Sequence, residues 1–70
     1  MANRHRQEQS ELRAKVKEAI ADDILAPSDI IEFILDNGWR YEMPTRPTII
    51  AILKENGVEY KHGGWERVGK

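Results

Sequence analysis

Pro47-Thr48-Ile49-Ile50-Ala51-Ile52-Leu53-Lys54-Glu55-Asn56-Gly57-Val58 runs directly into Glu59-Tyr60-Lys61-His62-Gly63-Gly64-Trp65-Glu66-Arg67-Val68. Ile49, Ile50, Ile52 and Leu53 recur at helical spacing, and proline is tolerated in a first helical turn, where its missing N–H has no intrahelical partner. A helix is expected from Pro47 to Asn56, with Thr45 or Arg46 at its cap. Gly57 stops it, since glycine accepts the left-handed conformation past a helix end. The period then changes from helical to two: Val58, Tyr60 and His62 alternate with Glu59 and Lys61. Strands are expected over Val58–Lys61 and Trp65–Val68, joined by a Gly63-Gly64 turn.

Working back from there, Trp39-Arg40-Tyr41-Glu42-Met43 also alternates and reads as a short strand or a loop whose aromatics cap the core. Asn37-Gly38 repeats the Asn56-Gly57 stop. It closes a helix expected from Asp29 to Asn37, capped by Ser28 after the break at Ala26-Pro27. Leu12, Val16, Ala19, Ile20 and Ile24 form an apolar stripe at spacings of three and four, so an amphipathic helix is expected over Gln9–Ile24, with Ser10 as its cap. Residues 1–9 are polar and read as a flexible basic arm ahead of a single domain over residues 10–70.

Seventy residues allow one domain at most, and the absence of cysteine excludes disulfides and zinc–thiolate sites. No apolar run is long enough for a membrane span, so a cytoplasmic protein is expected. The net charge of −1 conceals a strong division. Arg4, Arg6, Arg13, Lys15 and Lys17 outweigh Glu8 and Glu11 at the start. Glu18, Asp22, Asp23, Asp29, Glu32 and Asp36 follow with no cation among them. Arg40, Arg46, Lys54, Lys61, Arg67 and Lys70 then exceed Glu42, Glu55, Glu59 and Glu66. Such asymmetry is compatible with a polyanion on one face, and on charge alone it fits a mixed solvated surface with a helix-dipole bias slightly better.

Catalytic chemistry finds little here. His5 and His62 are far apart with no ligand cluster around them, Ser10 and Ser28 read as caps, and no phosphate loop or nucleophile motif is present. No enzyme, metal, cofactor or small-molecule substrate is expected. The row Asp29, Glu32, Asp36 reads as a solvated face, and Trp39, Tyr41, Tyr60 and Trp65 as packing aromatics.

Three helices plus a two-stranded wing, mainly α with a small β-hairpin, resembles a winged helix-turn-helix domain. Ser28 to Gly38 is similar to the first helix of that unit, Pro47 to Val58 to its recognition helix, and Tyr60 to Val68 to its wing. The resemblance implies a DNA-binding regulatory protein of transcription or replication, acting as a homodimer, of a size that suits a phage or plasmid accessory protein. Carried onto these residues, double-stranded DNA would be held by Arg46, Thr48 and Lys54 on the helix, by Lys61, His62 and Arg67 on the hairpin, and by Arg4 and Arg6 on the arm. The connection from Trp39 to Arg46 is longer than the usual turn of that unit. The outward helix face, with Thr48, Ala51, Lys54 and Glu55, is thin in base-reading chemistry. The alternative is a protein-interaction module or inhibitor that docks on a host protein through Asp29, Ile30 and Phe33, without binding DNA.

Overall fold

The computed structural model describes residues 2–68, with side chains from Arg6 onward. Three helices, α1 (Ala2–Ala21), α2 (Pro27–Asp36) and α3 (Arg46–Glu55), precede an antiparallel hairpin of β1 (Val58–Lys61) and β2 (Gly64–Arg67). The expected mainly helical chain with a small hairpin is the observed architecture. No helix among the described residues is long and apolar enough to cross a membrane.

The core forms where the apolar stripes converge. Leu12, Val16 and Ala19 of α1 meet Ile30 and Ile34 of α2, Ile49, Ile52 and Leu53 of α3, and Val58 of β1. Trp39 and Trp65 close its edges half-buried. Their ring partners are Tyr41, at 5.0 Å between centroids, and Tyr60, at 5.4 Å, both edge-on. The aromatics therefore pack, as expected, although Tyr60 keeps an exposed face.

Four local expectations are corrected. First, α1 starts at Ala2, so the segment read as an arm is helical backbone and Ser10 lies mid-helix, not at a cap. Residues 2–21 contain neither Gly nor Pro. Once Leu12 and Val16 anchor the helix, residues such as Ala, Arg, Gln and Glu extend it at little cost. Second, α1 stops before Ile24, because Asp23 takes φ 67°. The N–H groups of Asp23 and Ile24 then turn back onto the carbonyls of Ile20 and Ala19, at 2.9 Å each. That is the Schellman ending, here with Asp in the position usually held by Gly.

Third, the N-cap of α2 is Ala26 and not Ser28: Pro27 takes the first helical position and Ser28 follows it within the first turn. The fixed φ of proline suits that position. Fourth, the hairpin turn is His62-Gly63, one residue earlier than Gly63-Gly64, because Lys61 pairs with Gly64. His62 and Gly63 have φ 54° and 80°. A two-residue turn with both central residues at positive φ matches the twist of the strands it joins.

Both Asn-Gly stops work as read, and each Asn adds a bond of its own. Asn37 Nδ2 donates to the Phe33 carbonyl at 2.6 Å, and Asn56 Nδ2 to the Ile52 carbonyl at 2.8 Å. Residues 39–45 form no strand. Trp39 Nε1 donates to the Glu42 carbonyl at 2.8 Å, and Tyr41 Oη donates to Glu11 Oε2 at 3.2 Å, which ties the connection to α1.

Candidate nucleic-acid interface

No group of His, Asp or Glu capable of holding a metal ion occurs among the described residues. The expected DNA contacts lie first on the surface of α3. Ile49, Ile52 and Leu53 point into the core, which leaves Pro47, Ala51 and Lys54 outermost. At about 100° per residue, Arg46, Ile50 and Lys54 share one flank, while Thr48 and Glu55 share the other, about 160° away from Ile50.

The three α3 residues expected to act together are thus divided. Thr48 is half-buried, and its Oγ1 lies 3.0 Å from Oγ1 of Thr45. Arg46 and Lys54 are exposed and make no ion pair among the described residues. They stand about 12 Å apart along the axis, with small or apolar residues between them. The first turn of α3 contains Arg46 and no acid. The guanidinium and the partial positive charge of the helix end therefore add, an arrangement that favours an anion.

The hairpin behaves differently from expectation. Side chains alternate across a strand, so Glu59, Lys61 and Glu66 lie on one face, with Glu59 directly opposite Glu66. Lys61 is exposed there beside two carboxylates. His62 Nδ1 lies 3.1 Å from Glu66 Oε2 and so is engaged with an acid. Arg67 shares the other face with Val58, Tyr60 and Trp65, and it reaches α1: Nη1 sits 2.8 Å from Asp23 Oδ1, and Nη2 donates to the Ile20 carbonyl. His62 and Arg67 are committed within the molecule, and the hairpin's outward face is not basic.

Of the arm residues, the Arg4 side chain lies outside those described. Arg6 is exposed on α1. It joins Arg13 and Lys17 on one stripe, within about 40° on the helix circumference. These three, with Gln9, Ser10 and Ala14, line an open groove of about 450 Å³. Arg13 meets the end of α3, with Nε 3.1 Å from Glu55 Oε1 and Nη2 3.3 Å from Oε2. That hydrogen bond, and then the charge of Arg13, hold the Glu55 carboxyl below its usual range, while Arg13 is raised in return. The stripe is hidden in the linear charge pattern, because only a helix that extends back to Ala2 brings Arg6 onto the same side as Arg13 and Lys17. Placing Arg6, Arg13 and Lys17 on one helical projection would have found it.

For the docking alternative, Ile30 is fully buried and is not available to a partner. It faces the core because it lies on the same side of α2 as Pro27 and Ile34. Asp29 is exposed and Phe33 half-buried. Both line a shallow groove of about 430 Å³ with Ile24, Leu25, Glu32 and Asp36.

No family model, curated protein or solved structure matches this chain.

Proposed function

We propose that the protein binds double-stranded DNA as a small regulatory protein of transcription or replication in the cytoplasm. The helix α3 enters the major groove with its outer surface, and Arg46 and Lys54 meet phosphates. The carrying observation is the pair of exposed, unengaged cations on one flank of a helix whose outermost residues, Pro47 and Ala51, are small enough for close approach. The resemblance to winged helix-turn-helix domains supports the same reading. A homodimer suits it, because two phosphate contacts per chain give little affinity and a second copy doubles them.

The test is a titration of a fluorescent random-sequence duplex at several salt concentrations. Counted per bound chain, each phosphate contact contributes about 0.9 to the slope of log affinity against log salt. Arg46→Ala with Lys54→Ala is expected to lower that slope by about 1.8. Absence of binding at low salt overturns the proposal.

The groove beside α2 favours a second reading. Its apolar lining of Ile24, Leu25 and Phe33, rimmed by Asp29, Glu32 and Asp36, suits a basic partner protein. Under this reading Phe33→Ala and Asp29→Lys would impair the biological activity while Arg46→Ala would not.

A further inference from the structure

Resting on the reading of α3 as the DNA-facing helix, we infer that α1 supplies a second phosphate-binding track for the same duplex through Arg6 and Lys17, with Arg13 between them held by Glu55. In this role it stands where the hairpin was expected to stand. The hairpin is ill-suited: Arg67 and His62 are paired at the surface with Asp23 and Glu66 of the same chain, and Lys61 shares its face with Glu59 and Glu66. A duplex lying over α3 therefore needs its remaining positive charge from another element.

The α1 stripe has the right composition. Arg6 to Lys17 spans about 16 Å of helix axis, enough to follow several phosphates of one strand at about 3.4 Å each. All three cations line the same open groove, with the Ser10 hydroxyl among them, and no Asp or Glu of α1 falls on that stripe. Ala14 leaves room between the long side chains. The acids of α1 lie elsewhere: Glu11 is turned about 160° from Arg13, to the flank where it meets Arg40 and Tyr41.

The position is also right. The Arg13–Glu55 contact joins the middle of the stripe to the last turn of α3, next to Lys54. The stripe thus meets α3 at Glu55, with the outward-facing Lys54 about 100° further round the helix and Arg46 on its far flank. Lys15, the remaining described cation of this stretch of α1, serves the opposite flank, where its Nζ donates to the Asn37 carbonyl at 2.9 Å.

The experiment measures the salt dependence of binding of the full chain to a random-sequence duplex. Far-UV circular dichroism checks each variant for folding. Arg6→Ala with Lys17→Ala, two exposed substitutions to a strong helix former, is expected to lower the slope by about 1.8. Lys15→Ala removes a cation from the other flank and is expected to leave the slope unchanged. If the double variant keeps the wild-type slope while Arg46→Ala with Lys54→Ala loses it, the α1 track is overturned and the α3 reading stands. If Lys15→Ala lowers the slope as much per residue as the double variant, the effect is one of net charge, and the track is again overturned. If the wild-type protein shows no salt-dependent binding at all, the reading of α3 falls and carries the track with it.

Discussion

Arg67 on β2 closes the end of α1: its Nη1 lies 2.8 Å from Asp23 Oδ1, and its Nη2 donates to the carbonyl of Ile20. Two things meet at that point. The last carbonyls of a helix lack intrahelical partners, and the partial negative charge there favours a cation. Asp23 is held in the left-handed conformation that ends α1, so its carboxylate stands beside those carbonyls. A residue 44 positions further along the chain thereby fastens the hairpin to the first helix.

Arg67→Ala is expected to lower stability by about 1 kcal/mol, a modest figure because both partners are largely exposed. Arg67→Lys would not restore the loss, since one ammonium on a flexible stem reproduces the planar two-point contact poorly. Urea denaturation midpoints measure both. The same Arg67→Ala variant is expected to keep the wild-type salt slope of duplex binding, which separates its structural role from a phosphate contact.

The turn residue His62 adopts φ 54° ahead of Gly63 at 80°. Asn tolerates that conformation better, and Asn-Gly is the favoured pair for this turn. His62→Asn is therefore expected to raise the melting temperature despite loss of the Glu66 contact, which joins largely exposed groups. His62→Val, β-branched at positive φ, is expected to lower it. Thermal unfolding of the two variants gives opposite signs.

Gly57 and Gly38 end two helices in the same way, with φ 75° and 81°, yet they differ in surroundings. A Cβ at Gly57 would lie 3.0 Å from the Val68 carbonyl oxygen, whereas one at Gly38 meets open space. Gly38→Ala should cost about 1 kcal/mol from backbone conformation alone. Gly57→Ala should cost more, because the backbone at Val68, just past β2, must also shift. Chemical denaturation of both variants checks the order.

The Arg13–Glu55 pair makes a prediction about acid. Glu55 is held below its usual range in the folded state by its hydrogen bond to Arg13 and by the charge of that guanidinium. A carboxyl depressed on folding contributes stability above its unfolded range and loses it as the pH falls through the folded value. The difference in stability between wild type and Glu55→Gln should thus be present at neutral pH and vanish below the ordinary glutamate range. The same variant releases Arg13 toward the duplex, so the salt slope at neutral pH should rise by about 0.9. Denaturation at several pH values and one binding series suffice.

Ala51 is exposed on the outer face of α3, away from the buried Ile49, Ile52 and Leu53. Ala51→Glu should leave the melting temperature nearly unchanged, since Glu is a good helix former on an exposed face. It should weaken duplex binding at least tenfold, because a carboxylate is then set against phosphates between Arg46 and Lys54. Fluorescence anisotropy beside thermal unfolding reads both.

Much of this architecture was written in local pattern. The isoleucine spacing after Pro47, the two Asn-Gly pairs and the change to alternation at Val58 specify a helix, its stop and a strand through backbone preference and one-sided burial, both of which act within a few residues. The sequence therefore determined the order and kind of elements, and most of the core. It did not determine how far α1 extends before Ser10, where helix propensity competes with fraying and the anchor lies downstream at Leu12 and Val16. Nor did it determine the turn register, which pairing of Lys61 with Gly64 decided. Above all, the fate of each charge was settled by folding. Arg67 and Asp23, Arg13 and Glu55, and His62 and Glu66 are ordinary surface residues in the linear chain. Only the reach of Arg67 from β2 to the end of α1, the packing of α1 against α3, and the pairing of the two strands decided which cations are engaged and which remain available, because ion pairing depends on distance in space and not on separation along the chain.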